Sequence, residues 1–192
     1  MLSLVQKEKF LSLKVEIINL NILTYVYVKK RNRLGYLFRN STRYFIFEEF
    51  TALRYMENGI ILHLTNLDDD NSSFSFRKVQ KEINKTIKEK KILTQFQRKL
   101  EVYRIKINKL KVKYRNNRIA HLNYDTDLNI DEFLNFDTHL RPLITLVNEI
   151  GDFIWGEKIN YEFKLGSIEG VLDFRKLCEE LKIDFNEQNG II

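Results

Sequence analysis

The strongest pattern in the chain is a stripe of apolar residues that begins at residue 93. Its members recur at alternating spacings of three and four residues, which places them on one face of an α-helix. They are Leu93, Phe96, Leu100, Tyr103, Ile107, Leu110 and Tyr114. The pattern predicts one long helix that packs this stripe into a bundle. Continuing the stripe by three and then four residues reaches Asn117 and His121, so a polar pair follows directly on the core positions.

Two further helices are predicted between the N-terminal segment and this stripe. The tripeptide Asn40–Thr42 consists of good N-cap residues, so a helix is expected to begin after it and to run to about Leu67. Residues 68–73 are Asp, Asn and Ser, which predicts a loop. The next helix carries apolar residues at spacings of three and four, namely Phe76, Val79, Ile83 and Ile87.

The first segment, about Ser3 to Lys30, has two interpretations. Apolar and polar residues alternate over positions 11–17 as they do in a strand, and Tyr25–Val28 is rich in residues that favour strands. Against a strand, about thirty residues pass with neither Gly nor Pro. We therefore predict a helix here.

The last third of the chain predicts two more helices. Asn129 and Glu132 have the spacing of a capping box. A helix follows with Pro142 in its first turn, where the missing N–H does little harm, and with apolar residues at Leu140, Leu143, Ile144, Val147, Ile150 and Ile154. We expect residues 157–166 to be irregular or briefly extended. A short helix is predicted from about Ile168 to Leu181.

Together these elements predict an all-α, up-and-down helical bundle of about five to six helices. The bundle is expected to span residues 1–156, and residues 157–192 to form a short C-terminal extension packed on it. One Pro and seven Gly in 192 residues disfavour an all-β fold, which needs many turns. The length suits one domain with a hydrophobic core.

Composition predicts a cytoplasmic protein. Cys178 is the one cysteine, which excludes an intrachain disulfide and a cysteine-based metal site. The first ten residues lack the features of a signal peptide. The most apolar stretch, Phe10 to Val28, contains Lys14, Glu16, Asn19 and Asn21, so we expect no transmembrane span.

Charge is distributed unevenly along the chain. Residues 77–118 contain 16 Lys or Arg and 3 Asp or Glu, whereas residues 122–192 contain 6 and 15. A basic middle followed by an acidic end suggests a surface that faces a polyanion, or two segments that attract one another. The basic helix faces are a candidate RNA surface, with ordinary solvated lysines as the alternative.

The chemistry concentrates where the basic helix ends, in Tyr114–Asn123. Arg115 can bind a phosphate with two hydrogen bonds, and His121 can move a proton near neutral pH. The neighbouring Asn116 and Asn117 are able to orient either group. These groups suffice to cleave RNA without a metal, because RNA carries its own nucleophile in the 2′-hydroxyl.

This stretch resembles the HEPN domains (higher eukaryotes and prokaryotes nucleotide-binding), whose hallmark is Arg, often a polar residue, and His after four to six intervening residues. Arg115-Asn116 and His121 fit that pattern. The longer string RNNRIAHLN is similar to the abortive-infection, AbiU-like branch. The stretch from Ile61 to Phe76 also resembles that branch's helix end, acidic loop and next helix start. The resemblance spans roughly residues 1–155.

The resemblance implies a dimeric all-α bundle in which two copies of the motif face each other. It implies no cofactor and no metal. Arg115, Asn116 and His121 would then be catalytic in a metal-independent endoribonuclease of phage defence or toxin–antitoxin control. Arg118, Lys106, Lys109 and Lys113 would bind RNA, and an antitoxin or a nucleotidyltransferase is a candidate partner. The alternative is a non-catalytic module that binds RNA, a nucleotide or a partner protein.

The motif departs from the family pattern at two positions. Tyr124 lies three residues after His121, whereas toxin members with a modified tyrosine have it two residues after, and Asn123 replaces the usual Asp.

The remaining candidate residues carry a simpler interpretation. His63 and His139 have no companions at metal-ligand spacing and are expected to be structural or exposed. Cys178 is expected to be a small buried hydrophobe. The run Asp68–Asp70 lacks the calcium-loop pattern and is expected to be a polar connector.

Overall fold

The structure, a computed structural model, describes residues 4–72, 74–112, 114–115 and 133–181. Over these residues it is mostly helical, which confirms the predicted all-α class, with one small sheet added. A π-helical turn at Phe136–Leu140 leads directly into the seventh α-helix. The elements are α1 Leu4–Lys9, α2 Leu11–Asn32, α3 Leu34–Asn40, α4 Arg43–Asn66, α5 Phe76–Thr86, α6 Lys90–Leu110, α7 Arg141–Trp155, β1 Tyr161–Leu165, β2 Ile168–Leu172 and α8 Phe174–Glu180.

Helix α6 confirms the long apolar stripe. Five of its stripe residues are at most 4% exposed, and they are Phe96, Leu100, Tyr103, Ile107 and Leu110. Leu93 and Tyr114, at the two ends of the stripe, are half-buried. Phe96 stacks on Phe153 of α7 with ring centroids 4.8 Å apart, so the stripe packs directly on the other long apolar helix of the C-terminal half.

The first segment is helical, as predicted, with a turn at Phe10 between α1 and α2. Leu13, Ile17 and Leu20 are fully buried at spacings of four and three residues. Leu11 and Val15, which completed the apparent strand pattern, are exposed. Burial therefore follows the helical period and the alternation has no structural role.

Helix α4 begins where its N-cap predicts. The backbone N–H of Phe45 donates to Thr42 Oγ1 at 3.3 Å, which satisfies one of the donors left free at the helix start. Helix α3, just before this cap, was not predicted. After α4, the backbone N–H of Phe76 donates to the Leu67 carbonyl at 2.8 Å and so closes the loop at the point where α5 begins.

The C-terminal region differs from the prediction. Residues 168–172 form strand β2 instead of helix, paired antiparallel with β1 so that Phe163 lies opposite Gly170. Gly166, in the turn between the strands, has φ 62, a conformation that a residue with a side chain seldom adopts. The helix in this region, α8, begins only at Phe174. Asp173 is its N-cap, and the Asp173 side chain accepts a hydrogen bond from the backbone N–H of Lys176 at 3.1 Å. Cys178 is half-buried in α8 and not part of a core.

The chain divides into two compact units. One contains Met1–Leu20 and Ile61–Ile159, and the other contains Asn21–Ile60 and Asn160–Ile192, in each case over the described residues. Helices α2 and α4 therefore each contribute residues to both units. The predicted extension from residue 157 onward stays a prediction.

Helix α2 is long and apolar enough to cross a membrane by length and composition alone. Its most apolar 18-residue window is 44% buried inside the protein, and both the core helix of a soluble protein and a signal sequence near the N-terminus pass the same test of length and composition. Glu16 of this helix is buried, and its Oε1 atom lies 2.8 Å from His63 Nδ1. The Glu16 carboxyl group therefore has a partner within the protein.

Candidate functional site

Arg115 lies just beyond α6, where residues 111, 112, 114 and 115 continue the helix in π-helical geometry. Its side chain is 31% exposed, and its Nη2 atom lies 3.5 Å from Asp69 Oδ2. The first residue of the Arg–His motif is therefore held against the loop that follows α4. We call Asp68–Asp70 the acidic loop.

Basic side chains from α5, from α6 and from the residues after α6 lie around the acidic loop. Asp68, whose side chain is 7% exposed, accepts from Lys111 Nζ at 2.8 Å and lies 3.4 Å from the Nε atoms of both Arg77 and Arg104. Arg77 also donates through Nη1 to Asp70 at 2.5 Å. One buried carboxylate therefore ties α5, α6 and the residues after α6 to the end of α4.

Local hydrogen bonds fix the shape of this loop. Asp69 Oδ1 accepts from the backbone N–H of Asn71 at 3.0 Å, an Asx turn that suits an Asp in a tight connection. Below it, the buried hydroxyl of Tyr103 donates to the Leu64 carbonyl at 2.5 Å, and the Tyr103 ring packs edge-on against Phe76. The stripe of α6 thus positions the loop as well as the core.

The charges of the cluster shift the pKa values of its members. The pKa of Asp69 lies below its usual 3.8, mainly because of the hydrogen bond from Asn71 and further because of the positive charges of Arg115 and Lys111. Burial lowers the pKa of Arg77, but its hydrogen bond to Asp68 and the charges of Asp68 and Asp70 outweigh this and raise it. Burial and the charge of Asp68 raise the pKa of Tyr103 well above 10.0. Asp69 therefore stays ionised to a lower pH than an ordinary aspartate.

A second group of basic residues lies on a different face of α6. Lys106 and Lys109 are exposed and three residues apart, so they are neighbours on the helix surface. Neither takes part in an ion pair with any residue that the structure describes. By contrast, Lys99 is paired with Glu149 of α7. The basic segment thus contains both cations that are neutralised by acidic side chains and cations that remain available to solvent.

The remaining predicted site residues are Asn116, Arg118, His121 and Lys113, and they fall outside the described residues, as does Tyr124. Of the predicted set, the structure therefore places Arg115, Lys106 and Lys109. It puts Lys106 and Lys109 together and holds Arg115 separately at the acidic loop. The approach of His121 to Arg115 stays a prediction.

Sequence reasoning missed the role of the acidic loop. Its three aspartates were assigned to a connector, but Asp68 is buried and binds the basic side chains. The signal was present in the spacing of Arg104 and Lys111, which lie seven residues apart and therefore on one face of α6. An acidic partner stabilises a basic pair on a helix face that borders the core, and the acidic loop is the nearest run of carboxylates before α6 in the chain.

The described residues contain no group of three or more His, Cys, Asp or Glu that could hold a metal ion. The carboxylates of the acidic loop are engaged by Arg and Lys side chains. His63 is bound to Glu16, and the exposed His139 lies 3.1 Å from Thr138 Oγ1 and 3.2 Å from the Asn135 carbonyl, both local contacts. Both histidines in this part of the chain have the structural or exposed surroundings that were expected.

Comparison with known proteins adds nothing to this geometry. No family model, curated protein or solved structure matches the chain. The likeness to HEPN domains therefore rests on the residues of the Arg–His motif and of the stretch from Ile61 to Phe76 alone.

Proposed function

We propose that the chain is a cytoplasmic HEPN-type RNA-binding protein that cleaves RNA without a metal, as a toxin in abortive infection or toxin–antitoxin control. The observation that supports this most is the anchoring of Arg115. Its partner Asp69 holds the first residue of the motif at the end of the most basic helix, with 31% of the side chain still open to solvent.

An arginine held in this way remains able to bind an anion. A guanidinium has five N–H donors in a fixed plane, and a single carboxylate contact at 3.5 Å leaves most of them for a phosphate. Lys106 and Lys109 add exposed positive charge to α6. RNA would bind these residues through its backbone, whatever its sequence.

The proposed chemistry is intramolecular attack by a ribose 2′-hydroxyl on the adjacent phosphorus, with departure of the 5′-oxygen of the next nucleotide. His121 takes the proton from the 2′-hydroxyl or gives one to the leaving oxygen. Arg115 holds the phosphate and stabilises the charge that gathers on its oxygens in the transition state. Asn116 orients the His or the phosphate. The products then end in a 2′,3′-cyclic phosphate and a 5′-hydroxyl.

The proposed assembly is a homodimer in which Arg115 and His121 of both copies line one cleft. An antitoxin or a nucleotidyltransferase would restrain the toxin in the cell. Two-fold symmetric dimers are the commonest form of small oligomers.

The second candidate is a non-catalytic module that binds RNA, a nucleotide or a partner protein. The exposed Lys106 and Lys109 favour this candidate, because they lie on a different face of α6 from Arg115 and can bind an anion without any reaction.

Cleavage of a fluorescently labelled RNA pool tests the proposal. The wild-type protein should cut RNA in the presence of EDTA and release 2′,3′-cyclic phosphate ends. General acid–base catalysis is typically worth about 10²–10⁴-fold, so His121→Ala should lose activity by at least that order while its circular dichroism is unchanged. Arg115→Ala should lose activity and some affinity. The matched control is Arg98→Ala, an exposed arginine on α6 outside the motif, which should remain active.

RNA binding at several salt concentrations separates the two candidates. Replacing Lys106 or Lys109 by Ala should lower the dependence of log Kd on log salt by about one unit each, whereas Lys99→Ala, which removes a lysine paired with Glu149, should change it less. Salt-dependent binding without any cleavage would support the binding module. Neither binding nor cleavage across many RNAs would refute the nuclease and also the RNA-binding form of the second candidate.

A further inference from the structure

The solvent-facing side of α4 carries aromatic rings. Tyr44 is 85% exposed, and Phe47 and Tyr55 are each 73% exposed. Leu53 and Ile60, on the opposite side of the helix, are fully buried. A solvent-facing helix surface normally carries charged side chains, and exposed apolar groups that cluster mark interaction surfaces. The three rings are therefore candidates for contact with a ligand.

Two arginines lie near these rings. Arg43 is the first residue of α4 and lies four positions before Phe47, so the two are neighbours on the helix surface. Arg39, in the last turn of α3, lies four positions earlier again, and the chain keeps its Cα atom within about 15 Å of that of Arg43. Both arginines are exposed, and neither forms an ion pair with any residue that the structure describes. We call Arg39, Arg43, Tyr44, Phe47 and Tyr55 the aromatic–arginine patch.

The patch belongs to a part of the chain with positive charge only. Residues 17–47 contain six Lys or Arg and no Asp or Glu. Glu49 neutralises two of these cations, since its carboxylate lies 2.8 Å from Lys30 Nζ and 3.8 Å from Arg33 Nη2. The arginines of the patch have no such partner among the described residues, so an anionic ligand would complement their charge.

The start of α4 also favours an anion. The first turn of the helix contains no acidic side chain, and its first residue is Arg43. Because the dipole of a helix makes this end positive, a cation here is unfavourable and an anion is favourable. Glu48 is exposed, but it follows Arg43 by five positions and therefore lies about 140° around the helix from it. A phosphate bound to Arg43 would offset the repulsion between this side chain and the helix dipole.

Rings and arginines together match the two parts of a nucleotide. Arginine binds a phosphate with two hydrogen bonds, and an exposed ring stacks on an unpaired base. Tyr44 and Tyr55 are eleven positions apart, so the rings extend along about 16 Å of helix and each can contact a different base. The bases of a duplex are already stacked on one another, so the patch suits a single strand.

An anionic membrane is the other polyanion that a basic aromatic surface could contact. A helix that lies in a membrane interface keeps its basic residues on the face opposite its apolar residues. In α4, Arg43 instead shares a face with Phe47. Thr51 separates Phe47 from Tyr55, and its hydroxyl donates to the Phe47 carbonyl at 2.9 Å. Separate rings with a cation beside them suit bases that stack one at a time better than they suit lipid chains.

We propose that the aromatic–arginine patch binds single-stranded RNA, with its rings stacked on unpaired bases and its arginines on the phosphates. This inference rests on the proposed function for the class of nucleic acid, and it adds the single-stranded form and the residues that select it. It does not depend on RNA cleavage, which the motif variants test separately.

The affinity for a labelled oligouridine, which has no paired bases, tests the rings. Fluorescence anisotropy is measured in a His121→Ala background, so that the RNA stays intact. Stacking of one base is worth about five-fold or more in Kd, so each ring variant should bind at least about five-fold more weakly, with unchanged affinity for a fully paired RNA duplex. These variants are Tyr44→Ala, Phe47→Ala and Tyr55→Ala. The control is Leu165→Ala, which removes an apolar side chain that is 75% exposed but has no ring, and which should bind normally. Unchanged affinity in all three ring variants, or an equal loss in the control, would overturn the proposal.

The Tyr44→Trp variant reports stacking directly. Trp155 is only 3% exposed, so a change in fluorescence on adding RNA arises mainly from the new indole. Oligouridine should quench this fluorescence, and a paired duplex should leave it nearly unchanged. Absence of quenching at saturating oligouridine would contradict stacking at this position. For the phosphate contact, Arg43→Gln should lower the dependence of log Kd on log salt by about one unit, and Arg43→Lys, which keeps the charge, should retain it.

The same ring variants identify any other occupant. If wild-type protein bound vesicles of equimolar phosphatidylcholine and phosphatidylserine, and Phe47→Ala abolished this without changing the affinity for RNA, the patch would contact a membrane instead. If the ring variants changed a dimer into a monomer at unchanged RNA affinity, a second copy would cover the patch. Cleavage that requires His121, together with normal RNA binding by the ring variants, would overturn the patch and leave the nuclease. Ring-dependent binding of RNA that is never cut would support the patch and refute the nuclease.

Discussion

Asp68 is the residue whose replacement should most clearly expose the role of the acidic loop. Asp68→Asn preserves the shape of the side chain but removes the negative charge that Lys111, Arg77 and Arg104 share. A hydrogen bond to a charged group contributes about 1.5–3 kcal/mol, and the 2.8 Å contact from Lys111 has the geometry to reach this value. The two contacts at 3.4 Å are long and add little.

The loss of stability expected for Asp68→Asn depends on how exposed the three cations are. Their side chains are between 19% and 36% exposed, so they can turn partly into water once Asp68 is neutral. We therefore expect Asp68→Asn to lower the free energy of unfolding by about 2 kcal/mol, below the 3–5 kcal/mol seen when a fully buried pair is broken. Urea unfolding followed by circular dichroism measures this, provided that the slope with denaturant is unchanged.

Asp70→Asn is the matched control for this measurement. Asp70 lies in the same loop and contacts Arg77, but its side chain is 61% exposed. Exposed ion pairs contribute about 0–1 kcal/mol, so this variant should remain within about 0.5 kcal/mol of the wild type. If Asp68→Asn proved as stable as the wild type, or if the two variants cost the same, the buried carboxylate would not be what holds the cluster together.

Two further predictions concern the surroundings of the site, and a third concerns the packing of α7 in the core. Asp69 has a pKa below 3.8 in the folded protein, so its contribution to stability is present above that pH and is lost as pH falls towards the folded-state pKa. The difference in free energy of unfolding between wild type and Asp69→Asn, measured with urea, should therefore be larger at pH 5 than at pH 3. Tyr103→Phe removes the donor to the Leu64 carbonyl and should cost about 1 kcal/mol, with an unchanged stability read as evidence against that bond. Gly151→Ala would bring a Cβ within 2.9 Å of Ile17 and Ile159, so it should cost about 1–3 kcal/mol in thermal unfolding, and a neutral result would mean that these side chains move aside freely.

The helices that could be predicted are those whose apolar residues repeat at helical spacing. The stripe of α6 and the N-cap of α4 each specify one local structure, and both are where the pattern placed them. The briefly extended segment expected at 157–166 contains β1, but its pairing with β2 was not predicted, since the two strands are mostly exposed and only five residues long, and their register depends on the turn at Gly166. Helix α3 lacked a separate signal because Arg33, where α2 gives way to it, is neither Gly nor Pro.

The candidate site was predictable in its chemistry and less so in its contacts. Arg115 was identified from its residue type and its spacing to His121, both of which are properties of the local sequence. Its partner Asp69 lies 46 positions earlier, and such a contact depends on how α4 and α6 pack. Sequence spacing alone cannot give that distance, so the aspartates were assigned to a connector.

In the proposed function, the pairing of Arg115 with Asp69 limits how RNA gains affinity at this position. A phosphate that binds a bare arginine releases condensed counterions into solution, and this release is the main favourable entropy of such contacts. At Arg115 the anion instead shares or replaces a carboxylate that is covalently part of the protein and cannot diffuse away. Phosphate binding there would place two anions on one guanidinium, so in the proposed function Arg115 would discriminate by the geometry of its ligand more than it would contribute to overall attraction for nucleic acid.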